Sequence, residues 1–181
     1  MKEKFSVTCP EFDVTLCAIT PADLENLREW KNTHRFSFFY QEIITSEQQA
    51  QWFQGYLERV HDYMFVVQCA DESVGCMGFR MLDQRADIYN VILGRLERGG
   101  QGLMSRAIRL LCSFIAAEFT RGIGAQVLLS NPARTWYQKN AFRETGFFET
   151  YVEVQLDWSQ FRPCAFQKNL MGYRRRRRRT S

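Results

Sequence analysis

The 181-residue sequence predicts an α+β fold, a central mixed, mostly antiparallel twisted sheet flanked by helices in α/β/α layers. Three observations carry that expectation. Apolar stretches separated by polar turns follow one another through residues 64–93, as in an antiparallel meander. Helical periodicity brackets the meander, with Leu24, Leu27 and Trp30 before it and Ala107, Ile108, Leu111, Ile115 and Ala116 after it. A glycine-rich loop, Arg98-Gly99-Gly100-Gln101-Gly102-Leu103-Met104, runs straight into the later helix.

In chain order, Phe12 to Ala18 alternates as a first strand, and Thr20-Pro21-Ala22-Asp23 supplies an N-cap, a first-turn proline and an early acid for a helix ending near Thr33. Ser46 with Gln49 reads as a capping box opening a second helix through Trp52, Phe53, Tyr56 and Leu57. Met64–Cys69 and Val74–Met81 are expected strands joined by residues 70–73, and Asp87–Leu93 is a third after Asp83-Gln84-Arg85. The helix after the glycine loop is expected to end at Gly122 and Gly124. Ala125–Leu129 then forms a short buried strand, and Asn131 and Pro132 begin a short helix through Tyr137 to Asn140. Gly146 is expected to turn the chain into a last strand, Phe147–Leu156.

With 45% hydrophobic residues the chain suffices for one domain, read as residues 1–160. Residues 161–181 form a C-terminal extension with an Arg-rich tail expected to be disordered. The formal net charge is +4, of which Arg174–Arg179 supply six positive charges, leaving −2 for the rest. Clustered arginines suit a polyanion, so nucleic acid enters as a partner only through this tail. No apolar run approaches the ~20 residues of a membrane span, and no secretory core follows Met1-Lys2-Glu3-Lys4, so a cytoplasmic protein without a membrane partner is expected, monomeric or homodimeric. Six cysteines show no metal-ligand spacing, and His34 and His61 read as surface or helix-end residues, so no metal is expected. Cys69 and Cys76 flank a hairpin turn, yet free thiols are expected there.

The glycine loop is suited to an anion. Glycines let the main chain approach closely, and the following helix adds unpaired N–H groups and the positive end of its dipole. Tyr137 offers a proton donor about thirty residues later. Together these suggest a cofactor-dependent transferase.

This order of elements, with Gly100-Gln101-Gly102-Leu103-Met104 and Asn131-Pro132-Ala133-Arg134-Thr135-Trp136-Tyr137-Gln138-Lys139-Asn140-Ala141-Phe142, resembles the GNAT acetyltransferase superfamily across roughly residues 12–156. The resemblance implies acetyl-CoA as co-substrate, with Arg98, Gly99, Gly100, Gln101, Gly102, Leu103 and Met104 around its pyrophosphate. Asn131 and Arg134 lie in the second signature, Asn131 near the pantetheine arm, and the main chain of Val91, Ile92 and Leu93 is expected to border the same arm. Three positions depart from the family pattern: Gly99 stands where Gln or Arg is usual, Met104 replaces a small residue, and Ala141 replaces a glycine. The third puts a local turn in doubt if positive φ is needed there.

The resemblance also implies direct attack of a primary amine on the thioester, with Tyr137 as general acid. Asp87 is the expected acceptor of the amine proton, directly or through water, with Glu97 or a water chain without a single side chain as the alternatives. The segment Trp30-Lys31-Asn32-x-x-Arg35 with Phe38, Phe39, Tyr40, Ile44, Gln48 and Trp52-Phe53 resembles acetyltransferases of nucleotide-linked amino sugars. Trp30, Lys31, Arg35 and Tyr40 are therefore candidate contacts to such a small-molecule acceptor, the aromatics stacking and the cations facing phosphate, while helix packing is the competing role for each aromatic. Acetylation of protein N-termini, suggested by Gly102-Leu103-Met104, and a non-catalytic module binding CoA or a partner are the alternatives.

Overall fold

Alternation of Phe5 and Val7, both buried, with Ser6 and Thr8 makes even a four-residue stretch a strand once it has a partner. This is β1 (Phe5–Thr8), antiparallel to β2 (Val14–Ala18). The computed structural model describes residues 2–171 of the chain; the Arg174–Arg179 run lies outside them.

Helix α1 (Leu24–Thr33) follows a 3-10 turn at Pro21–Asp23, where Thr20 N–H and Oγ1 both donate to Asp23 at 2.8 Å. Helix α2 (Ser46–Glu58) is capped one residue earlier than the sequence suggested. Thr45 and Gln48, rather than Ser46 and Gln49, form the reciprocal box, and Gln49 is buried under the helix. The meander follows as β3 (Asp62–Cys69), β4 (Glu72–Leu82) and β5 (Arg85–Leu93). Its register sets Cys69 opposite Glu72 and Cys76 opposite Val66, so those two thiols do not face each other.

Helix α3 (Leu103–Glu118) leads into β6 (Ile123–Leu128), α4 (Ala133–Lys139), β7 (Phe142–Phe147) and β8 (Tyr151–Leu156). Gly124 lies inside β6 opposite Gln155 instead of ending the helix. Gly146 lies at an irregularity within β7, and the chain reverses at residues 148–150, so the expected single strand over 147–156 is two. A short β9 (Gln167–Leu170), fully exposed and polar but for Leu170, pairs with β1. It falls within the stretch read as an extension, where Phe161 and Cys164 are also buried in the core.

The nine strands run in the order β7-β8-β6-β5-β4-β3-β2-β1-β9, every neighbouring pair antiparallel except β5 and β6. Apolar groups cover both faces. On one, Phe65, Val67 and Phe79 pack with Ala107, Leu111 and Phe114 of α3. On the other, Met64, Val66, Cys76 and Ile92 pack with Leu27 and Trp30 of α1 and Phe53 and Tyr56 of α2. Alternate residues of β3 thus serve opposite layers, which is why that strand reads as a continuous apolar run. No helix of the described residues is long and apolar enough to cross a membrane.

Candidate active site

An asparagine among β-formers, in Asp87-Ile88-Tyr89-Asn90-Val91, marks where the sheet opens. Cys76 pairs with Ile92 but Gly78 with Tyr89, so Asn90 and Val91 together face Met77, and Asn90 holds φ +49°. Asparagine tolerates this left-handed geometry better than most residues, and the extra residue bends the strand. On its other edge β5 meets β6 only at Ala86–Ile88 against Ile123–Ala125; beyond that the two strands part.

A cavity of about 340 Å³ fills the opening, with Asp87, Asn90, Val91, Asn131, Ala133 and Tyr137 in its wall. It joins two others. One, of about 320 Å³, lies on the face covered by α1 and α2 and shares Lys31, Tyr40, Trp52 and Asn90 with the opening. The other, of about 400 Å³, lies at the start of α3 on the opposite face and shares Val91 and Ala133.

The larger cavity has the chemistry of an anion site. Gly100 and Gly102 take φ +75° and +70°, which side chains resist, and Gly102 caps α3. The first bond inside the helix is Arg106 N–H to Gly102 at 3.1 Å, so the N–H groups of Leu103, Met104 and Ser105 lack carbonyl partners within it. Arg98 enters the same cavity with one guanidinium nitrogen 3.5 Å from the Cys69 thiol. Its Nε is buried without a hydrogen-bond partner among the described residues. A buried, unpaired guanidinium N–H beside three free helix donors fits a diphosphate such as that of acetyl-CoA.

Tyr137 is buried, packed edge-on against Trp136 and Phe142 at 5.1 and 5.3 Å. Burial, with lesser contributions from Cys112 and Asp87, raises its pKa well above the usual phenol value, so it stays protonated throughout the neutral range. Asp87 is also buried, and its Oδ2 accepts from both Nε and Nη2 of Arg80 at 3.1 Å. Asn131 Oδ1 caps α4 by accepting from Ala133 N–H at 2.9 Å, while its amide donates to Ser37 O at 3.1 Å, tying the 35–40 segment to the opening.

The other expected contacts divide. Val91 and Leu93 line the cavity at the start of α3, whereas Ile92 lines the one under α1 and α2, as strand alternation requires. Gly99, Leu103 and Met104 line the cavity at the start of α3, while Gln101 is exposed and outside its wall. Arg134 turns instead to Glu144 at 2.9 Å, beside a different cavity.

Trp30 lines none of the three cavities. It is buried, and the close approach of its ring requires glycine at position 94, where a Cβ would sit 2.1 Å from Trp30 Cε2. The Arg35 guanidinium lies 4.3 Å from the centre of the Phe36 ring, and Arg35 lines none of the three cavities either. Lys31 and Tyr40 line the cavity under α1 and α2 together, with Ile44, Gln48 and Trp52. Sequence reasoning missed Asn90 and Arg80; an Asn inside a β-pattern was the available signal for the first.

Residues 13–143 match a family described as an acetyltransferase (GNAT) domain. No curated protein sequence is significantly similar to the chain. Among solved structures, spermidine N-acetyltransferase from Vibrio cholerae in complex with CoA and spermine superposes with a TM-score of 0.68 at 20% identity, covering 82% of this chain and 98% of that one. RimL, a ribosomal L7/L12 alpha-N-protein acetyltransferase in complex with CoA, gives 0.64 at 17% identity over 87% and 94%. Apo FdhC, a nucleotide-linked sugar GNAT, gives 0.69 at 13% identity over 82% and 89%. With the family match spanning most of the chain, the chain belongs to the GNAT acetyltransferases and is an acetyl-CoA-dependent N-acetyltransferase.

Proposed function

We propose that the enzyme transfers acetyl from acetyl-CoA to a primary amine of a small acceptor, an amino sugar carried on a nucleotide. The cavity under α1 and α2, taken as the acceptor side, carries this reading. Lys31 is its one charged lining residue among those described, beside the stacking surfaces of Tyr40 and Trp52 and the amides of Gln48 and Gln49. With no carboxylate in that wall, a polyamine would meet a like charge and no counter-ion, whereas a phosphate or sugar hydroxyl meets a cation and amide groups.

Acetyl-CoA supplies the activated acyl group. The N–H groups of Leu103, Met104 and Ser105 and the guanidinium of Arg98 hold its phosphates, and Val91 and Leu93 flank its arm. Tyr137, kept protonated by burial, donates its hydroxyl hydrogen to the departing sulfur as the C–S bond breaks; as a phenol rather than a phenolate it does not act as the base. Asp87, fixed by Arg80, receives the amine proton directly or through water.

Free thiol release from acetyl-CoA is measured with a nucleoside-diphosphate amino sugar, with spermine and with a short peptide bearing a free N-terminus. Turnover with the amino sugar is expected. Turnover confined to the peptide replaces this acceptor with a protein N-terminus, which one feature favours: Phe39, in the wall of the opening, continues through Tyr151 (5.5 Å) to Phe148 (4.5 Å) as an aromatic ridge.

A further inference from the structure

We propose that Lys31 is itself an acetylation site: with acetyl-CoA bound and no acceptor present, the Lys31 amine attacks the thioester and the enzyme modifies its own acceptor cavity. The inference rests on the acetyl-CoA reading above.

Lys31 lies near the end of α1 and borders both the acceptor-side cavity and the opening between β5 and β6. Its Nζ donates to Asn90 Oδ1 at 2.6 Å and sits 3.2 Å from the centre of the Phe38 ring. Asn90 precedes Val91, whose side chain lines the cofactor side, and Tyr137 and Asp87 border the same opening. The amine therefore sits at the junction that an acceptor amine must enter, on a four-carbon stem able to swing from Asn90 toward the thioester.

A nucleophilic amine must be uncharged. No ion pair holds Lys31 in its charged form among the described residues, and Cys76 is the neighbour whose ionisation would favour that form. Burial lowers its pKa to about 8. Near pH 8 about half of it is neutral, against on the order of a percent or less for an exposed lysine.

The step balances without a further reactant. The nitrogen–carbon bond forms as the carbon–sulfur bond breaks, and the proton shed by nitrogen reaches the departing sulfur by way of the site's acid and base. The products are Nε-acetyl-lysine and free CoA thiol, with nothing oxidised or reduced. The new amide is a poor acyl donor, so the modified chain is a dead end rather than an intermediate. It also occupies the acceptor cavity and removes that cavity's cation.

Lys2 provides an internal control. Its pKa is also lowered to about 8, mainly by burial, but its Nζ donates to Tyr56 O at 2.7 Å and Arg59 O at 2.9 Å, and it borders none of the three joined cavities. Low basicity alone would acetylate Lys2 and Lys31 alike.

The full chain is incubated with acetyl-CoA at pH 8 without acceptor, acetylated peptides are quantified by mass spectrometry, and CoA binding is measured by calorimetry on the same preparation. Lys31 should be modified at least about tenfold faster than Lys2, Lys4, Lys139 and Lys168, as expected for a reaction inside one complex. Tyr137→Phe should slow Lys31 while leaving Lys2 unchanged. Modification of Lys31 no faster than Lys2, in a chain that binds CoA, overturns this inference alone. Absence of CoA binding overturns it together with the function on which it rests.

Discussion

Lys31→Met should stabilise the protein at neutral pH and lose that advantage in alkali. The wild-type amine falls from 10.5 to about 8 in the folded chain, chiefly through burial. At 1.36 kcal/mol per pKa unit, holding it charged costs the fold roughly 3 kcal/mol at pH 7. Methionine removes that cost but forfeits the hydrogen bond to Asn90 and the contact with Phe38, together worth about 1–1.5 kcal/mol. The variant should therefore be more stable by about 2 kcal/mol at pH 7. Between pH 8 and 10.5 the unfolded chain holds the proton that the folded chain has released, so wild-type stability rises with pH relative to the variant. By pH 10.5 the cost falls to about 0.4 kcal/mol, no more than the forfeited contacts, and the gap should close. Urea unfolding of both chains at pH 7, 9 and 10.5 measures this, and Lys2, present in both, cancels in the difference. A difference that stays constant across the series refutes the reasoning.

Gly94→Ala should cost about 2–3 kcal/mol in the same assay, because the new Cβ lands 2.1 Å from a Trp30 ring atom and α1 must move. Gly102→Val should cost roughly 1–2 kcal/mol by forcing a β-branched residue to φ +70°, and should reduce the thermal shift produced by CoA. Arg98→Gln should weaken CoA binding by at least about tenfold in calorimetry, the equivalent of losing one charge-assisted contact to phosphate. Tyr137→Phe should retain CoA affinity while single-turnover transfer slows on the order of 10²-fold.

The sequence made legible what local chemistry dictates. Thr20 and Asp23 announced α1, the period of Ala107, Ile108, Leu111 and Ile115 announced α3, and the glycines before Leu103 announced a helix start that an anion can approach closely. Ala141 shows the limit from the other side: it takes a left-handed φ of +65°, and only its standing at a family position usually held by glycine raises that question in the sequence. What escaped depended on distant partners. β9 has almost no apolar pattern and exists because β1 offers it a backbone edge, while β7 was hidden by a glycine that marks a sheet irregularity rather than a turn. Within the site, Tyr137 and Asp87 do border one opening. Trp30 could not be separated from core packing without knowing that Gly94 lies beneath it. The cavity wall itself draws on Leu27, Lys31, Met64 and Asn90 from α1, β3 and β5, and no local pattern joins them.

The parting of β5 from β6 after only three residue pairs has a kinetic consequence. On the proposed assignment, donor and acceptor approach the reaction from opposite faces of one sheet, so neither must leave before the other arrives. Both wait in place on either side of a gap in a wall. Such an enzyme works through a ternary complex. Its initial-rate plots for varied donor at several acceptor concentrations form intersecting lines, and CoA competes with acetyl-CoA while leaving the acceptor's entrance open.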